Sequence, residues 1–161
     1  MNIFDYAMQL EKEGENFYRD IVKATPNRGL KTIFSWLAEE EVKHYRIFES
    51  MKAEGKPTLV ETAILQDAKT IFEEMRNKHE PFHFENIQTE AYRKAQAIEK
   101  KSQDFYEEKA KIVKDRYQQK LFLQIAEEEK KHYFLLENII QFVSRPGLWL
   151  ENAEFYQLEE Y

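Results

Sequence analysis

Residues 39–45 read Glu39-Glu40-Glu41-Val42-Lys43-His44-Tyr45, and residues 127–133, 88 positions later, read Glu127-Glu128-Glu129-Lys130-Lys131-His132-Tyr133. The same offset pairs Ala7 with Ala95, Leu10-Glu11-Lys12 with Ile98-Glu99-Lys100, Phe17-Tyr18 with Phe105-Tyr106, Phe34 with Phe122 and Ala38 with Ala126. Aligned without a gap, positions 2–50 and 90–138 share 16 identities in 49. One unit has been used twice, so a site built from it should give each residue a twin.

Each copy carries one Glu that lies 30 residues before a Glu-x-x-His: Glu11, Glu41 and His44 in the first, Glu99, Glu129 and His132 in the second. A Glu and a His three apart on a helix share one face, about one turn apart. Four antiparallel helices that present Glu, Glu-x-x-His, Glu and Glu-x-x-His inward form a di-metal carboxylate site. Any one of these residues alone is more simply read as a solvated helix residue. Six of them at interior positions, duplicated at a constant offset, are not explained that way.

The surrounding pattern is helical. The first helix is expected over residues 2–24, where Phe4, Ala7, Leu10, Phe17 and Ile21 recur at helical spacing and Glu11 falls inside the apolar stripe. Thr25-Pro26-Asn27-Arg28-Gly29 reads as the break that follows. The second helix, residues 30–53, places Ile33, Leu37, Glu41, His44, Phe48 and Met51 on one face, which leaves Glu39 and Glu40 pointing elsewhere, toward solvent. The third (85–113) and fourth (116–144) repeat the scheme, with the turn between them placed near Lys114-Asp115 by alignment with Pro26-Asn27. A connection of this length between helices two and three exceeds what a hairpin needs. It contains a short helical pattern over 61–76, so helices two and three are expected to run parallel. The fold class is therefore all-α, a ferritin-like antiparallel four-helix bundle with a long crossover between helices 2 and 3. Residues 1–145 form the bundle, from helix pairs at about 2–54 and 85–144 joined by 55–84, and 146–161 form a C-terminal tail. In that tail Trp149, Leu150, Phe155 and Tyr156 should dock, on this subunit or a neighbour. His79 and His83 flank Pro81, which breaks the helix that would align them, and are read as loop histidines.

Composition narrows the function. The chain has 161 residues, 34 % of them charged, and a net charge of −6. That balance disfavours nucleic acid as a partner, since phosphate contacts need a basic face. With no cysteine there is no disulfide, thiolate zinc site or iron–sulfur centre within these residues. No apolar run reaches the 18 or so residues that span a bilayer, and the N-terminus lacks the pattern of a signal peptide; the expectation is no membrane and a cytoplasmic location.

Four ionised glutamates in a bundle core would repel one another and lack hydration. Two divalent ions balance their charge and leave two neutral imidazoles as further ligands. Carboxylate and imidazole together admit iron or manganese, with zinc a possible occupant. Glu41 and Glu129 are the expected bridges between two ions about 3.5–4 Å apart. Tyr18 and Tyr106, each two turns after a proposed ligand, either hydrogen-bond the carboxylates or are plain core aromatics.

On Glu11, Glu41-x-x-His44, Glu99 and Glu129-x-x-His132, with the Phe-Tyr pairs that follow Glu11 and Glu99, the chain resembles the rubrerythrin branch of the ferritin-like superfamily over about residues 2–144. The resemblance implies two iron ions in a non-haem centre that reacts with peroxide or dioxygen, and commonly a homodimer, often with exchanged helices. Rubrerythrins usually carry an extra Glu three residues after the third-helix ligand; Ser102 stands there, which departs from the family's redox-linked ligand exchange. A rubredoxin domain is not expected, so electrons would come from an external donor. The function expected on this basis is a di-iron carboxylate oxidoreductase, and the alternative is a protein that binds, stores or senses iron without turnover.

Overall fold

A computed structural model describes residues 2–79 and 86–161, all helix, turn and coil with no strand among them. Four long helices carry the fold: α1 (Ile3–Ala24), α2 (Arg28–Lys52), α4 (Asn86–Ile112) and α5 (Arg116–Ser144). Between the pairs lies a shorter helix, α3 (Ile64–Lys78). After them come α6 (Pro146–Glu151) and a 3₁₀ turn over Glu154–Glu159.

The two tight turns are twins in sequence and in mechanism. Asn27 caps α2 by accepting from the backbone N–H of Leu30 at 2.9 Å. Asp115, 88 residues later, caps α5 by accepting from Tyr117 and Gln118 at 2.7 and 3.1 Å. Each cap satisfies donors that the helix cannot satisfy internally. The break after α1 is shorter than the sequence suggests, because Arg28 and Gly29 already belong to α2. Gly29 instead makes room for the crossover: a Cβ there would meet Met75 Cε at 2.1 Å and Ile71 Cγ2 at 2.9 Å. The crossover helix likewise begins at Ile64 rather than 61, since residues 57–63 form no helix.

Each helix pair is antiparallel across its short turn. Tyr18 of α1 meets Glu99 of α4 while Glu11 meets Tyr106, so α1 and α4 are also antiparallel. His44 meets Glu128 and His132 meets Glu40, which makes α2 and α5 antiparallel as well. Helices α2 and α4 therefore run parallel, as the long crossover requires. The interior divides into two apolar clusters. One holds Ala7, Leu10, Phe48, Tyr106, Phe122 and their neighbours. The other is built on Ile33, Phe34, Tyr92, Leu136 and Ile139 and takes in Phe72 of α3. The tail packs on this same chain: Trp149, Leu150, Phe155 and Leu158 are buried in the second cluster, with Trp149 against Phe72 (4.7 Å between ring centres) and Phe142 (5.5 Å). Tyr156, expected to dock with them, remains 46 % exposed. His79 takes a left-handed conformation (φ 53°) as the cap of α3 and is exposed; His83 lies outside the described residues.

Candidate metal centre

Between the two apolar clusters lies a polar layer. Glu11 from α1, Glu41 and His44 from α2, Glu99 from α4, and Glu129 and His132 from α5 are each at most 3 % exposed. Helical periodicity puts all six there, since each continues an apolar stripe that is buried above and below it. Their ligand atoms form two overlapping groups, Glu11–Glu41–His44–Glu129 and Glu41–Glu99–Glu129–His132. In each group one donor atom per residue lies within 4.8 Å of the others. Glu41 and Glu129 belong to both groups.

The contacts repeat with the internal symmetry. His44 Nδ1 lies 2.9 Å from Glu129 and 3.5 Å from Glu11; His132 Nδ1 lies 3.3 Å from Glu99 and 3.7 Å from Glu41. The two imidazole rings stack at 6.0 Å between centres. Tyr18 donates to Glu99 Oε1 at 2.5 Å, and Tyr106 donates to Glu11 Oε1 at 2.7 Å. Of the two readings the sequence leaves open for these tyrosines, hydrogen bonding to the carboxylates is the one the structure has. Both phenols are fully buried, and burial together with the facing carboxylate pushes each well above the usual phenol range.

The electrostatics of the layer alternate. Burial, and then the neighbouring Glu11 and Glu99 charges, push the Glu41 carboxyl well up; burial with Glu11, Glu41 and Glu99 does the same to Glu129. Burial alone would raise Glu11 and Glu99 too. For Glu11 the charge of His44 and several hydrogen bonds reverse it, and for Glu99 His132 and its bonds bring the carboxyl down to about 2. Burial disfavours the charged imidazoles, but the Glu11 carboxylate more than offsets this at His44, raising it to about 9. Glu99 acts likewise on His132, which is pushed well up.

Three atoms of this layer, Glu11 Oε2, Glu99 Oε2 and His132 Nδ1, are buried without a hydrogen-bond partner among the described residues. Buried polar atoms left unpaired are costly, unless an ion takes them up. Four carboxylates and two imidazoles, with unpaired oxygens and nitrogen turned inward, are a donor set that fits metal ions.

The sequence reading places Glu40 in solvent, and the structure corrects this. Only 15 % of its side chain is exposed, and Glu40 Oε1 faces His132 Nε2 at 3.3 Å. Its twin Glu128 is buried and meets His44 Nε2 at 2.7 Å. Burial would raise both carboxyls, but hydrogen bonding to the histidine and its charge, together with Lys43, outweigh it and hold both below the usual range. The constant offset contained the signal, since residues 40 and 128 are also twins. Glu39 is exposed as expected.

No helix among the described residues is long and apolar enough to cross a membrane. Comparison with curated proteins and with solved structures yields no match. The rubrerythrin family profile, however, matches residues 2–140, which takes in all four long helices up to Ile140 and every residue of the polar layer. The chain belongs to the rubrerythrin family.

Proposed function

We propose that the chain is a di-iron carboxylate oxidoreductase acting on peroxide or dioxygen, with Glu11, Glu41, His44, Glu99, Glu129 and His132 as its metal ligands. The observation that carries this reading is the pair of four-residue groups sharing Glu41 and Glu129. One group alone would suit a single ion; two with common carboxylates suit a pair held close together. Two ferrous ions, when bound, supply the two electrons that turn one peroxide and two protons into two waters.

The remaining roles fall to the protein. Glu41 and Glu129, which belong to both groups, would be shared by the two ions, and each of the other four side chains would serve one. Tyr18 and Tyr106 donate to Glu99 and Glu11 and fix their orientation. The aromatic layers on either side, Phe34 and Tyr92 at one end and Phe48 and Phe122 at the other, keep bulk water from the site. No cysteine in these residues offers an electron store, so the return of electrons needs an external donor. A homodimer in the cytoplasm belongs to the same proposal; the family resemblance supports the dimer, and the lack of a membrane-crossing helix among the described residues agrees with the location.

The test is anaerobic loading with two ferrous ions per chain, followed by peroxide. Stoichiometric consumption that repeats when a chemical reductant is supplied supports the proposal. A single oxidation with no return to the ferrous state under reductant points instead to the alternative, a protein that binds, stores or senses iron.

A further inference from the structure

The polar contacts of the centre continue outward on one side, through residues that neither copy's ligand pattern includes. We propose that Glu40 and Glu128 are positioning residues for the metal centre: each holds the Nε2–H of the histidine on the opposite helix and so commits that ring's Nδ1 to the cluster. This deepens the di-metal reading and rests on it.

A neutral imidazole has one N–H, and the nitrogen that keeps its proton cannot bind a metal. An ionised carboxylate can only accept, so one placed at Nε2 favours the tautomer with the proton there. Glu128 Oε1 stands 2.7 Å from His44 Nε2 and Glu40 Oε1 stands 3.3 Å from His132 Nε2, while both Nδ1 atoms face the inner carboxylates. Neither outer carboxylate belongs to the two ligand groups, because each lies on the far side of its ring.

The outer carboxylates are themselves held. Thr62, in the coil before α3, donates its backbone N–H to Glu128 Oε2 at 2.9 Å and its hydroxyl to Glu40 Oε1. Lys43 Nζ sits between them, 2.9 Å from Glu40 Oε2 and 3.3 Å from Glu128 Oε1, and also donates to the Val60 carbonyl at 3.2 Å. Ammonium and backbone N–H groups can only donate, so these contacts leave the carboxylates as acceptors for the rings. The crossover thus does more than connect the helix pairs: it clasps both orienting carboxylates from outside.

Cobalt(II), whose absorption reports its coordination, is the probe, titrated into the metal-free full-length chain by calorimetry and spectroscopy. Wild-type protein should bind two ions. Glu128→Gln should weaken one of them by about 10- to 100-fold and leave the other within about twofold. Glu40→Gln should act on the other ion alone. In zinc-loaded protein with ¹⁵N-labelled histidine, His44 should lose its Nδ1-bound, Nε2-protonated signature in Glu128→Gln, and His132 should keep it. Unchanged affinities and tautomers in both variants overturn the inference, and so does an equal loss at both ions in either single variant. A wild-type chain that binds no cobalt overturns the di-metal reading itself. Should Glu128→Gln or Glu40→Gln not fold, Thr62→Val removes the hydroxyl that donates to Glu40 and accepts from the Ile64 N–H, while keeping the backbone donor to Glu128. It should weaken the ion ligated by His132, with Thr62→Ser restoring it, and wild-type binding by Thr62→Val then overturns the inference.

Discussion

Loading the centre with metal should release protons, and their number follows from the structure. Without metal, Glu41 and Glu129 are pushed well up by burial and by their carboxylate neighbours, which favours the protonated carboxyl at both. His44, raised to about 9 by Glu11 against the effect of burial, and His132, raised by Glu99, are both imidazolium. Glu11 and Glu99 are ionised. The six side chains then carry two positive and two negative charges and cancel. With two divalent ions bound, four carboxylates balance four positive charges and the imidazoles are neutral, so the layer cancels again. A dry core favours neutrality in both states, and the exchange is two ions in for four protons out.

The sign follows from competition. Protons occupy the ligands that metal needs, so affinity rises with pH. Two protons per ion mean about a hundredfold per pH unit for each, or about 2.7 kcal/mol. His44, raised to about 9, sets an upper bound on that slope: above it the imidazole has already given up its proton and the dependence on pH falls. Calorimetric titration at pH 7 in buffers of different ionisation enthalpy reads the count directly. About four protons per pair of ions are expected. A value near zero would refute the reasoning, since it would mean a metal-free core with four ionised carboxylates and two neutral imidazoles.

Three substitutions probe other parts of the argument. Gly14→Ala favours the helix by roughly 1 kcal/mol, but its Cβ would lie 3.0 Å from Glu41 Oε2. Because Glu41 belongs to both ligand groups, binding of both ions should weaken while the metal-free protein melts no lower; parental affinity would show that Gly14 does not shape the site. Trp149→Ala should cost about 3–5 kcal/mol in chemical denaturation, the usual loss for a fully buried tryptophan, and a change within error would mean the tail is not docked. Ser102, buried one turn after Glu99, is the third: Ser102→Glu adds a fifth carboxylate and should lower the reduction potential of the iron-loaded centre. A redox titration unchanged from the parent would place position 102 outside the site.

The bundle and its six inner residues were legible because each is fixed by its own helix. A stripe of period 3.6 says which face is buried, and a charged residue inside that stripe must find a partner in the core. Glu11, Glu41, His44 and their twins satisfy that rule without reference to any other helix. The second turn, lacking Gly and Pro, was legible only through its twin, Asn27 standing for Asp115 as a cap. Glu40 and Glu128 were not legible in this way. A residue one step before a ligand is turned about 100° around the helix, and whether that direction meets solvent depends on what covers it. Here the cover is the coil before α3, whose apolar pattern is too short to reveal its course.

That cover also breaks the symmetry the duplication imposes. Antiparallel twins must exchange neighbours across the bundle, which is why Tyr18 serves Glu99 while Tyr106 serves Glu11, and why each histidine meets the other copy's outer carboxylate. The crossover belongs to neither copy and can lie on one side only. Lys43 turns inward to Glu40 and Glu128, whereas its twin Lys131 pairs with Glu61 at 3.0 Å. Glu128 takes a backbone N–H from Thr62 and Glu40 takes its hydroxyl. The bond from Glu128 to His44 is the shorter of the two, 2.7 Å against 3.3 Å. Two ions in this centre would therefore be ligated alike but oriented from outside by unlike groups, so a difference between them in affinity or potential has its physical source in the crossover rather than in the ligands.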